Sequence, residues 1–121
     1  DLYLGAVVDG YGFHQGFFHP QRFEGRGFPQ EKGIFSTSYD AGLGRSLWFV
    51  HMGRVEPITS IIARLSPIRK KDFWRGVGTA CAFTGCIENG AASVIDAAAA
   101  LENHVRDGLE AGIVLQRAPV R

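Results

Sequence analysis

Apolar residues recur along the chain at helical spacing, and no window sustains the alternation of a half-buried strand. From Leu2 to about Phe18 they are dense enough for a buried helix. Gly5, Gly10, Gly12 and Gly16 each weaken that helix by about 1 kcal/mol relative to alanine, so tertiary packing must hold it. Residues 20–33 break the pattern. Gly25, Gly27 and Pro29 among charges read as a loop, or as the degraded second helix of a first hairpin, and as the most mobile part of the chain. A second helix is expected from Ser36 or Ser38, either of which suits an N-cap, through Trp48 and Val50 to near Gly53. Pro57 fits the first position of a short helix whose Ile58, Ile61, Ile62 and Leu65 form one apolar stripe. Ser66 and Pro67 open the next helix in the same way, and Gly85 stops it after Phe83. Beyond it the pattern predicts an alanine-rich helix over 91–101, capped by Asn89. A terminal helix follows with Val105, Leu109, Ile113 and Gln116 on one side, ending at Arg117 and Pro119.

The glycines carry a repeat. Gly-x-Gly followed by Phe occurs as Gly10, Gly12 and Phe17, as Gly42, Gly44 and Phe49, and as Gly76, Gly78 and Phe83, with a weaker echo from Gly108. The first glycines lie 32, 34 and 32 residues apart, close to the period of tetratricopeptide-type helical hairpins. The third copy matches that pattern best, through Trp74, Val77, Gly78 and Cys81, with Gly90 and Val94 in the following helix. Residues two apart in a helix point to nearly opposite sides, so each motif helix offers close backbone approach on two flanks. The expected fold is therefore all-α: stacked antiparallel helical hairpins, tetratricopeptide-like, in one domain over residues 1–121 with a C-terminal capping helix. The chain opens directly on Leu2, Leu4, Val7 and Val8, whereas an end repeat needs a polar outer face. Unless this helix is simply central, the expectation is that an N-terminal half, a second chain or a dimer mate covers it.

Composition narrows the function without naming it. With 13 Lys plus Arg against 12 Asp plus Glu and 21% charged residues, the chain has no basic arm for nucleic acid and no acidic tail. No apolar run is long enough to span a bilayer and the start lacks a basic signal-peptide region, so the chain reads as soluble and cytoplasmic. The 2 cysteines, Cys81 and Cys86, make no disulfide framework and read as reduced thiols, so no metal or other cofactor is expected.

Three blocks carry a family resemblance: Val8 to His19 (VDGYGFHQGFFH), Gly42 to Val50 (GLGRSLWFV) and Asp72 to Phe83 (DFWRGVGTACAF). They resemble a bacterial domain of unknown function, number 1702, found in enediyne and other polyketide biosynthetic gene clusters. Its members are usually about twice this length or more, so the chain resembles their C-terminal half. The resemblance implies a natural-product pathway and no particular reaction. The 10 Arg against 3 Lys, a bias common in high-GC bacterial genomes, are compatible with it.

His14 and His19 are the candidate catalytic groups, since imidazole titrates near neutrality and Asp9 is placed to orient one ring. The plainer reading is a pair of hydrogen-bonded structural histidines at a helix end. A metal held by His14, His19 and His51 is weaker, because zinc-binding histidines on one helix usually sit four apart and these two are five apart. Arg64, Arg69, Lys70, Lys71 and Arg75 form a basic cluster, read as a solvated turn in preference to a dock for phosphate or an acidic carrier protein. Phe13, Phe17, Phe18, Phe23, Phe28 and Phe35 fall within 23 residues and either fill the core or line an apolar groove for an acyl or polyene chain. Tyr11, Phe13, Phe17, Phe18, Arg45 and Trp48 are the candidate groove residues. The leading expectation is an accessory protein of polyketide biosynthesis that binds a hydrophobic intermediate or a partner enzyme of the pathway along its glycine-motif surface. The alternatives are an enzyme using His14 and His19 on a polyketide-derived substrate, and a pure assembly module.

Overall fold

The computed structural model describes residues 2–23, 27, 28 and 33–83, and among these it is all-helical. Four helices follow in order: α1 (Leu2–Phe18), α2 (Ser36–Val50), α3 (Val55–Ile62) and α4 (Pro67–Phe83). A single 3-10 turn, Pro20–Arg22, follows α1. The expected helices over 91–101 and 105–116, including the terminal cap, lie outside the described residues.

The three glycine-motif helices stack directly on one another. The α1 face against α2 carries Gly5, Asp9, Gly12 and Gly16, which recur at steps of four and three and so share one side of the helix. Gly5 meets Ser38, Gly12 meets Tyr39 and Gly42, and Gly16 meets Leu43 and Ser46, so the two helices run parallel. The α2/α4 crossing is parallel too, with Asp40 on Arg69, Gly44 on Phe73 and Arg45 on Gly76. A methyl group at Gly42 would strike the Asp9 carbonyl and stand 2.8 Å from the Phe13 nitrogen. One at Gly44, on the other flank of the same helix, would strike the Phe73 carbonyl. The glycines thus leave room for Cα–H···O=C contacts between helices, worth roughly 0.5–1 kcal/mol each. Gly12, Gly42, Gly44 and Gly76 are filled by neighbouring backbone, Gly5 and Gly16 by the side chains of Ser38, Leu43 and Ser46.

Around α2 sits the core. Leu43, Phe73, Trp74, Val77 and Cys81 are inaccessible to solvent, joined by Ile58 and Ile62 from the buried side of α3. Phe23 and Phe28 belong to this core although they lie within the segment read as a loop: their rings stack at 5.1 Å, and Phe28 meets Phe73 edge-on at 5.2 Å.

Several local expectations change. α1 is half-exposed, because only its glycine-bearing side is covered; Tyr11 and Phe18 remain 57% and 59% exposed. Neither Ser36 nor Ser38 caps α2, whose N-cap is Phe35 with no side-chain bond; Ser38 packs in the first turn against Gly5. The helix ends at Val50, and Gly53 with φ +73° closes the turn by donating its N–H to the Trp48 carbonyl at 2.8 Å. α3 starts at Val55 behind Arg54, so Pro57 is its third residue.

Asp72 is buried in the first half of α4, 3.6 Å from Arg75. Burial, only partly offset by Arg75, pushes its pKa above the ordinary carboxylate value. A group whose proton is held more tightly in the folded state adds stability in acid, and that contribution is lost as pH rises through its folded-state pKa. Asp72→Asn, neutral throughout, is expected to gain in melting temperature relative to the parent as pH rises above about 4, the ordinary carboxylate value, measured by circular dichroism melts. A variant that loses ground as pH rises would show that the Arg75 pair outweighs the burial.

Candidate functional site

Two groups of residues stand out from the helical stack. The first collects most of the residues singled out in the sequence. Phe13 and Phe17 stack at 5.4 Å on α1, and both meet the edge of Phe49 from α2. Arg45 lies over the Phe13 ring at 4.4 Å and bonds Asp9 at 2.7 Å, both side chains about 30% exposed. That pair spans the α1/α2 crossing and engages one oxygen of Asp9. His14 and His19 approach each other, with ring centroids 6.2 Å apart, and His14 tilts against Phe18 at 4.8 Å. Tyr11 packs near Tyr39 at 5.9 Å, and Trp48 is buried against Gly53. His51 lies in the wall of a cavity. Phe13, Phe17, Phe18 and Phe49 form a packed cluster at the α1/α2 surface.

The second group is that cavity, about 560 Å³, a size that holds a drug-sized or acyl ligand. Its apolar walls are Phe23 and Phe28 on one side and Pro57, Ile61 and Leu65 on the other. The polar lining comes from His51, Ser60, Ser66, Arg64 and Arg69. The sequence pattern explains the geometry. α3 is amphipathic: its Ile58 and Ile62 are buried in the core, whereas Ile61 and, in the turn after the helix, Leu65 are left half-buried over the cavity.

Arg69 carries the electrostatics. It is 7% exposed and grips Asp40, itself 3% exposed, with Nε and one terminal nitrogen at 2.9 and 3.0 Å. Its other terminal nitrogen donates to the Phe28 carbonyl, which ties the Phe23–Phe28 pair to α4. The guanidinium also lies 5.5 Å from the Phe73 ring. Arg69 is thus a buried strut and not part of a solvated turn, because the fork geometry of guanidinium and carboxylate satisfies both charges out of water. Arg64, on the α3–α4 turn, is exposed and makes no ion pair with the described residues. With the start of α4 beside it, where unpaired backbone N–H groups carry partial positive charge, that end of the cavity favours an anion.

None of the cavity-lining phenylalanines was separable from the core by sequence, and Arg64 and Arg69 were visible only as members of a basic cluster. The signal that points to them is the apolar surplus of α3, Ile61 and Leu65, beyond what one buried stripe requires.

Among the described residues no helix is long and apolar enough to cross a membrane, and no group of three His, Cys, Asp or Glu is placed to hold a metal ion. Neither the curated proteins nor the solved structures contain a match to the chain. A family model matches residues 2–116, nearly the whole sequence and all three glycine blocks, so the chain belongs to the family described as protein of unknown function DUF1702.

Proposed function

We propose that this protein is a cytoplasmic helical-repeat binding module of bacterial polyketide biosynthesis that holds a hydrophobic, carboxylate-bearing intermediate in the cavity over α3. The observation that carries the reading is the cavity itself: apolar along its walls, with the exposed Arg64 in its lining beside the start of α4. An acyl or polyene chain fits the walls, and a carboxylate fits the cationic end. The pathway setting rests on the likeness of the three glycine blocks to proteins of polyketide gene clusters. The tetratricopeptide-like character of the stack rests on the 32- and 34-residue periods and the parallel motif helices. The ligand site in this reading is distinct from the glycine-motif crossings, where Gly12, Gly42, Gly44 and Gly76 are occupied by backbone. An acid/base role for His14 and His19 draws no support from Asp9, which is engaged by Arg45.

cis-Parinaric acid, a conjugated polyene acid whose emission rises in apolar surroundings, is a direct probe. The protein is expected to enhance its fluorescence saturably. Ile61→Trp, which fills the cavity, abolishes the enhancement. Arg64→Ala weakens binding of the acid by about tenfold, the worth of one charge-assisted contact, and leaves the neutral methyl ester unchanged. No enhancement, or an enhancement indifferent to Ile61→Trp, contradicts the reading.

A further inference from the structure

The contacts between motif helices obey one register, and the register leaves one position open. At the α1/α2 crossing the second glycine of the first motif, Gly12, meets the carbonyl of Tyr39, three residues before the next motif. At the α2/α4 crossing Gly44 meets the carbonyl of Phe73, again three residues before the next motif. In return the first glycine of each later motif receives the helix before it. Gly42 meets the Asp9 carbonyl and the Phe13 nitrogen; Gly76 meets the Ala41 carbonyl and the Arg45 nitrogen. The positions correspond one for one: the residue before the first glycine and the residue three after it.

Gly10 is the first glycine of its motif, and no atom lies within 4 Å of where its Cβ would stand. A glycine that costs an exposed helix about 1 kcal/mol has no packing reason within the described fold. Around it on the same side lie Val7, Tyr11 and Phe18, all exposed, at the three-and-four spacing of an apolar stripe. This face continues the established α1/α2/α4 stack by one more step.

We propose that the outer face of α1 is an interface for one further helix of the glycine-motif class, carried by a partner polypeptide. It lies parallel to α1 with its second motif glycine on the Val7 carbonyl. Its residue before the motif packs onto Gly10. The described helices of a second copy do not supply it. Gly12 and Gly44 are already occupied by α2 and α4, and Gly78 is buried, so no second-glycine face of a described motif helix is left to seat on another copy. This goes beyond ligand binding in the cavity and does not depend on it.

A labelled synthetic peptide of residues 35–53 serves as the probe, because in isolation it offers the Gly44 face that the register requires. Fluorescence anisotropy against the full chain is expected to show saturable binding. Gly10→Leu in the chain, which meets open space, keeps the parent's melting temperature and helix content but weakens peptide binding by about tenfold or more, as overfilling a close contact does. Gly44→Leu in the peptide has the same effect. Three results overturn the proposal. The peptide does not bind; it binds the Gly10→Leu chain equally well, which means it replaces α2 inside the fold; or the chain alone sediments as a dimer that Gly10→Leu makes monomeric, which means a second copy covers the face.

Discussion

Gly76→Ala is expected to lower the melting temperature by roughly 10–20 °C, whereas Gly10→Ala raises it slightly. The added methyl at position 76 would overlap the Ala41 carbonyl and stand 2.7 Å from the Arg45 nitrogen. Both obstacles are backbone atoms of a regular helix, so no side-chain rotation makes room. α2 and α4 must separate, and the buried contacts of Leu43, Phe73 and Val77 loosen with them. Overpacking costs 1–3 kcal/mol and occasionally more; a clash between two rigid helices belongs at the upper end, about 3 kcal/mol. The gain of about 1 kcal/mol in helix propensity does not offset it. At position 10 the same substitution keeps the propensity gain and meets nothing. Thermal melts of the two variants side by side separate packing from propensity, since both replace a helical glycine. Equal melting temperatures would contradict the glycine-packing account.

Arg69→Met is the second large effect. It strands the Asp40 carboxylate in the core and frees the Phe28 carbonyl, with an expected loss of about 3–5 kcal/mol, the usual result of removing one partner of a buried pair. The double variant Asp40→Leu with Arg69→Met should recover much of that loss, because replacing both charges by apolar groups removes the desolvation cost together with the attraction. Urea unfolding of the two singles and the double closes the cycle. A double variant no more stable than Arg69→Met would show that the arginine acts through the Phe28 carbonyl and the Phe73 ring instead of through Asp40.

The two variants also mark where the sequence was readable. Close approach of two helix backbones admits only a residue without a side chain, so the crossings leave a local signature: Gly42 and Gly44, two apart, announce contacts on opposite flanks, and the helices meet there. The bounds of α4 were equally plain, because Pro67 suits a first helical turn and Ser66 precedes it. The Asp40–Arg69 pair left no such mark. Its members are 29 residues apart, and Arg69 is embedded in a basic run that reads as solvated until α2 is laid against it. Phe23 and Phe28 were hidden for a similar reason. They sit among glycines and prolines with no helical period, and their burial depends on Arg69 reaching the Phe28 carbonyl. The cavity was half legible: Ile58, Ile61, Ile62 and Leu65 read as one stripe, but two of the four face the cavity and two the core. The Asp9–Arg45 pair likewise left no mark in the sequence, its members being 36 residues apart.

Nuclear Overhauser contacts across the crossings test the stack of parallel, glycine-seated helices most directly. The account predicts cross-peaks from the Hα protons of Gly42 to the Phe13 amide and from those of Gly76 to the Arg45 amide, because a Cβ built at those glycines would stand 2.8 and 2.7 Å from the two nitrogens. Both pairs absent in a spectrum that shows the sequential helical contacts of α1, α2 and α4 would mean that these helices form but do not cross at their glycines.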